Sequence, residues 1–172
     1  MDDNQQEVID ACVCINLAAA LDNGITDLKG CTPMIVPQVA DEALHLHVQT
    51  DQDVTQVRID VSNVNTVELS VQEVALYLRL ARRLDDGEAA SLAVAITRGW
   101  SIATDDKAAI RAAAAADPPV QVITTAMALR RHAQACAWDY DRCAQAIRDV
   151  RDQAAFIPPT SDPEYAWWMS RL

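Results

Sequence analysis

Asp10 in VIDAC, Glu42 in VPQVADEAL, Glu88 in LDDGEAASLAVA and Asp105 in SIATDDKAA all stand around junctions between a strand and a helix. Carboxylates so placed can converge on a divalent cation. Singly, each has an ordinary use: Asp85, Asp86 and Glu88 suit a helix start, where capping and the helix dipole favour negative charge, and Asp105 with Asp106 suits the next one. Glu42, mid-helix, reads alone as a solvated side chain. Together they weigh differently, because ligands of an open parallel sheet collect beyond the carboxyl ends of the strands, and Asp10 and Asp105 both follow apolar strands. An aspartate inside VIDACVCI is also costly to bury unless it is paired, protonated or bound to metal. An oxygen-rich, histidine-free donor set selects hard cations, Mg²⁺ or Mn²⁺. Hydrolytic phosphoryl transfer is the chemistry such ions serve, with the carboxylates as ligands and one of them able to take a proton from water.

The elements that must position these acids follow from the apolar pattern. Val8 to Asp10 reads as a short buried strand running into an apolar helix through Leu21, stopped at Asn23-Gly24. Met34 to Val36 is a second strand, and Pro37 opens a helix from about Gln38 to Leu46 that carries Glu42. Residues 47–61 alternate around an Asp-rich turn, as a hairpin does. Val67 to Leu69 is another strand; Ser70 with Glu73 forms a capping box for a helix ending near Leu84, and a helix begins at Asp85 or Asp86 and ends at Gly99. Trp100 to Thr104 is a strand, an alanine-rich helix runs to about Ala116, and Val120 to Thr124 is the last strand. Beyond Thr125 the pattern is helical, with a break near Trp138 to Asp141 and a turn-rich tail whose Trp167-Trp168 pair suits a core cap or an interface. Alternation of this kind predicts a three-layer α/β/α fold with a central, mainly parallel sheet, plus a helical C-terminal extension. One domain is expected over residues 1–172, with its core at about 7–125 and the extension at 126–172.

Composition narrows the partners. A net charge of −11 in 172 residues excludes a broad basic surface for nucleic acid, so phosphate chemistry must lean on metal. Arg79, Arg82, Arg83, Lys107 and Arg111 are the densest cations, beside the third and fourth acidic motifs. No apolar run reaches membrane-spanning length and the start MDDNQQEV is acidic, so a cytoplasmic protein is expected. The five cysteines lack paired C-x-x-C spacing; Cys136 and Cys143, seven apart, are expected on one helical face, and reduced, mostly buried thiols are the expectation. His45 and His47 alternate as exposed strand residues. No glycine-rich phosphate loop is present among the four glycines.

With its phrases IDACVCINL, VPQVADEAL, LDDGEAASLAVA and ATDDKAAIRAA, the chain resembles the PIN-domain family, in particular its LDxGEA/DD branch related to toxin–antitoxin ribonucleases. The likeness runs from about Glu7 to Thr125. It implies an Mg²⁺- or Mn²⁺-dependent endoribonuclease with Asp10, Glu42, Glu88 and Asp105 as catalytic metal ligands and Asp106 in support. It also implies an RNA substrate, an antitoxin protein as partner where the chain is a toxin, and a homodimer. A PIN-like scaffold without turnover, acting as a protein-binding module, is the alternative. A phosphatase or receiver-like phosphoacceptor ranks below both, because Val120 to Met127 lacks the lysine a receiver needs.

Overall fold

In a computed structural model of the chain, which describes residues 5–42, 44–49 and 53–172, strands and helices alternate. Strand β1 (Gln6–Ile9) leads into helix α1 (Ala11–Ala20), a 3₁₀ turn follows at Gly24–Asp27, and then come β2 (Thr32–Ile35) and α2 (Pro37–Asp41). The hairpin β3 (His45–Gln49) and β4 (Val54–Arg58) precedes β5 (Asn65–Thr66), α3 (Val71–Leu80), α4 (Asp86–Arg98), β6 (Ser101–Ala103), α5 (Lys107–Ala114) and β7 (Val122–Ile123). Helices α6 (Thr125–Ala135), α7 (Tyr140–Gln153) and α8 (Tyr165–Met169) complete the chain.

Five strands form one parallel sheet in the order β5-β2-β1-β6-β7, flanked by helices, and the fold is the expected three-layer α/β/α arrangement. Central β1 shows why its sequence is an apolar run instead of an alternating one: Val8 and Ile9 are both wholly inaccessible, as a strand covered on both faces requires. Helix α1 packs against α6 and α7, while α4 packs against α2, α3 and α5 and against β1 and β6. Ser70 and Glu73 form the expected capping box of α3, and Gly99 closes α4 in the left-handed conformation that a glycine adopts without strain.

Several boundaries differ from expectation. Helix α2 stops at Asp41 instead of Leu46, because Glu42 turns extended and Leu46 enters β3, which pairs with β4 and packs against α1 and α7, so that Leu46 is buried. Glu42 is therefore the residue that ends the helix, not a mid-helix residue. The hairpin itself is present, antiparallel from His45↔Arg58 to Gln49↔Val54; its expected turn at 50–52 lies outside the described residues. The strand expected at Val67 to Leu69 sits two residues earlier, although the Val67 N–H still bonds the Ile35 carbonyl at 2.8 Å. Helix α3 ends at Leu80, short of Leu84. Cys136 and Cys143 do not share a helix: Cys136 closes α6 and Cys143 lies in α7, separated by Ala137 at positive φ. All five cysteines are free.

The segment after β7 belongs to the same packed body. Trp168 is wholly buried, edge-on to Phe156 at 5.8 Å, whereas Trp167 lies under the guanidinium groups of Arg130 and Arg171. Glu7 of β1 is buried and receives two parallel bonds from Arg131 of α6, at 2.9 and 2.8 Å. Ser101 adds a third donor at 3.3 Å. A Cβ at Gly30 would lie 2.8 Å from the Arg131 Cδ, so glycine there lets the guanidinium pass. A charge inside a strand is tolerable only with such a partner.

Candidate active site

The parallel register sets the site. Ile9 pairs with Ala103, so β1 and β6 end level, and the next residues, Asp10 and Thr104, meet beyond their carboxyl ends. The Asp10 N–H bonds the Ala103 carbonyl at 3.0 Å, and the Thr104 hydroxyl donates to Asp10 Oδ2 at 3.1 Å. From β1 the chain winds outward through β2 and β5 on one side, and β6 and β7 extend the other, so this junction is where the strand order reverses. Such a crevice is where sheets of this type hold ligands.

Asp10 is buried and its carboxyl is raised above the ordinary aspartate range, first by burial and further by the Asp106 charge, against bonds from Cys12, Ala11 and Thr104 that favour the ion. Cys12 donates its S–H to Asp10 Oδ2 at 3.0 Å, and burial with the neighbouring Asp10 pushes that thiol far up. It stays protonated and serves as a donor.

Glu88 follows from the start of α4, where its Oε2 accepts the Asp85 N–H at 3.4 Å. Its carboxyl is pushed up to about 7 by burial and by the charges of Asp10 and Asp106. Glu42 comes from the end of α2 and is raised by partial burial and by Asp10, Asp85 and Asp86, although its exposed face keeps water and limits the effect. What brings it there is Gly87: a Cβ at that position would collide with Glu42 Oε1 and stand 3.2 Å from Val39 Cγ2. The glycine of LDDGEA thus lets α2 approach the start of α4, a role the one-dimensional pattern does not disclose.

The adjacent aspartates point to different tasks. Asp105 Oδ1 accepts the Thr125 N–H at 3.0 Å, and Oδ2 accepts the Thr125 hydroxyl at 2.5 Å and the Asn16 amide at 3.1 Å. Burial nonetheless raises its carboxyl. Asp106 uses Oδ1 to cap α5, accepting the N–H groups of Ala108 and Ala109 at 2.6 and 2.8 Å, while its charge bears on Asp10 and Glu88. The raised acids here are therefore Asp10, Glu42 and Glu88, with the charge of Asp106 bearing on Asp10 and Glu88, that of Asp10 on Glu42 and Glu88, and those of Asp85 and Asp86 on Glu42. Asn16, Thr104 and Thr125 are participants that the motifs do not single out; a lone Asn within the apolar ACVCINLAAA was the available signal.

No Lys or Arg forms an ion pair with Asp10, Glu42, Glu88, Asp105 or Asp106 among the described residues. Nor, among those residues, do three His, Cys, Asp or Glu side chains close tightly enough to form a coordination shell. The acids stand near enough to repel one another, in an open arrangement. Repelling, oxygen-only donors of this kind fit a hard divalent ion.

A PIN-domain family profile matches residues 6–161. The chain belongs to the PIN-domain family. This family is one of nucleases that generally use divalent metal ions, and the match extends past Thr125 through α6 and α7, beyond the likeness visible in the motifs. No curated protein and no solved structure compared with the chain matches it. In this PIN domain no helix among the described residues is long and apolar enough to cross a membrane.

Proposed function

We propose that this PIN domain is a metal-dependent endoribonuclease that hydrolyses RNA phosphodiester bonds, with Mg²⁺ or Mn²⁺ as its ion. The supporting observation is the mutual repulsion of Asp10, Glu42, Glu88 and Asp106 at the strand-order reversal, with no ion-paired basic side chain among the described residues to relieve it. In this reading those four would hold the ion, and Asp105, both of whose oxygens are engaged by Asn16 and Thr125, would hold the loop that presents Asp106. A bound divalent ion supplies charge neutralisation of the phosphodiester and acidifies a water.

The chain's own residues do the rest. Glu88 Oε2 is engaged by Asp85, leaving Oε1 to accept a proton from the attacking water. As the water oxygen bonds to phosphorus, the P–O bond to the leaving sugar oxygen breaks and that oxygen takes up a proton from solvent. Thr104 and Cys12 orient Asp10 by donating to its Oδ2. The test is cleavage of a labelled single-stranded RNA with Mn²⁺ present: the parent cuts it, and Asp10→Asn and Glu88→Gln do not. Parent-like cleavage by both variants refutes the reading.

A second reading, partner binding, draws on α3. Val71, Val74 and Leu78 recur at helical spacing and are 88%, 41% and 60% exposed, an apolar stripe suited to a homodimer or to an antitoxin-like protein. A toxin role in the LDxGEA/DD branch belongs to this proposal. Sedimentation of the parent beside Leu78→Lys distinguishes the cases: a dimer that dissociates in the variant supports self-association, and a monomer in both removes it.

A further inference from the structure

A groove of about 660 Å³ runs between the α3–α4 connection and α5. Its floor includes Leu84 and Ala112, and its rim carries Arg79, Arg82, Arg83 and Arg111. These four arginines are exposed, and among the described residues none pairs with a carboxylate. Elsewhere five arginines, Arg98, Arg130, Arg131, Arg142 and Arg151, each meet an acid, and Arg58, Arg148 and Arg171, which do not among the described residues, are not gathered at one groove. In a chain of net charge −11, four uncompensated cations around one groove, with no acid lining it, are a local reversal of sign.

The groove also has a direction. Ala108, which lines it, gives its N–H to the Asp106 carboxylate, and Leu84 directly precedes Asp85. One end therefore opens beside the acid array. We infer that this groove carries the phosphate backbone of a single-stranded nucleic acid into the acidic site, with Arg79, Arg82, Arg83 and Arg111 as positioning residues. The inference rests on the nuclease reading above. Cationic grooves that track a backbone over an apolar floor are how single strands are held without sequence preference. The alanines of α5 leave room for the strand. An acidic protein helix would match the charge, but a phosphodiester strand is the polyanion whose reaction requires it to continue as far as Glu88 and Asp106.

The experiment uses the full chain in EDTA, with a fluorescent RNA of about 12 nucleotides followed by anisotropy. Arg79→Glu/Arg83→Glu/Arg111→Glu is expected to bind at least about tenfold more weakly, and the corresponding alanine variant to flatten the slope of log affinity against log salt by about 2. An unchanged melting temperature shows that the fold is intact. With Mn²⁺ added, KM should rise with kcat preserved, because the arginines hold the strand and leave the reacting atoms alone. Parent-like KM and affinity in the variant would overturn the groove while leaving the nuclease reading standing. Groove-dependent RNA binding with no cleavage by the parent would keep the groove and remove the nuclease. Competition by polyglutamate as effective as by unlabelled RNA would overturn the assignment in favour of an acidic protein segment.

Discussion

Glu88→Gln tests the electrostatic argument without any substrate. In the unfolded chain a glutamate ionises near 4.5, whereas in the folded protein Glu88 keeps its proton to about 7. Between these values the native state binds the extra proton, so stability falls as pH rises through that window and the penalty is complete above 7. The interval corresponds to about 3 kcal/mol, and because Glu88 is only half-buried, screening by water reduces this to about 1 kcal/mol. Glutamine keeps an oxygen for the Asp85 N–H and carries no charge. At pH 7.5 without metal, the variant should therefore melt about 2–4 °C above the parent, and near pH 4.5 the two should coincide. Adding Mn²⁺ reverses the order at pH 7.5, since an ion held only by the folded state stabilises the parent more. Thermal melts across pH, with EDTA and with Mn²⁺, give the answer. A variant less stable than the parent at pH 7.5 in EDTA, or a difference independent of pH, refutes the claim that unrelieved repulsion marks the site.

Asp105→Asn and Asp106→Asn should behave oppositely: the first puts an NH2 donor where a carboxylate oxygen now accepts from Thr125 or Asn16 and costs about 1–3 kcal/mol while keeping a Mn²⁺ melting shift, and the second keeps a good helix cap yet loses most of that shift. Equal behaviour in paired melts would show that the two aspartates do not divide the work. Gly87→Ala should leave apo stability within about 1 kcal/mol, because the colliding atom is the tip of the flexible Glu42, but should lower Mn²⁺ affinity as far as Glu42→Ala does, read by calorimetric titration. Arg131→Met strands the buried Glu7 charge and should cost about 3–5 kcal/mol in urea unfolding at pH 7; a loss below about 1 kcal/mol would mean that Glu7 finds water.

What was legible in the chain was what is local. The capping box of Ser70 and Glu73, the stop at Gly99 and the start at Pro37 are set by neighbours within one helical turn, and each stands where its residues imply. The apolar runs at Val8 and Ile102 sufficed for a parallel sheet because buried strands need no alternation. The end of α2 was illegible because it depends on β3 pairing with β4, a competition for Leu46 that no helix propensity records. The Glu7–Arg131 pair joins residues 124 positions apart, and nothing near Glu7 announces its partner. Asp105 and Asp106 are equivalent by local rules; only Asn16 and Thr125, arriving from α1 and α6, tell them apart.

Gathering like charges works against folding, and the way each acid is held shows how this fold tolerates it. Asp10 receives Thr104 and Cys12, Asp105 receives Asn16 and Thr125, Asp106 receives the first N–H groups of α5, and Glu88 receives the Asp85 N–H. Each donor stabilises the ionised form and offsets part of the repulsion. Glu42 differs: among the described residues its carboxylate accepts no hydrogen bond, and its place is defined by the bare backbone of Gly87. Four of the acids are thus held by donors, and the fifth, Glu42, is positioned by packing against Gly87. Donors to each of the other four acids are what let these carboxylates coexist at one sheet end.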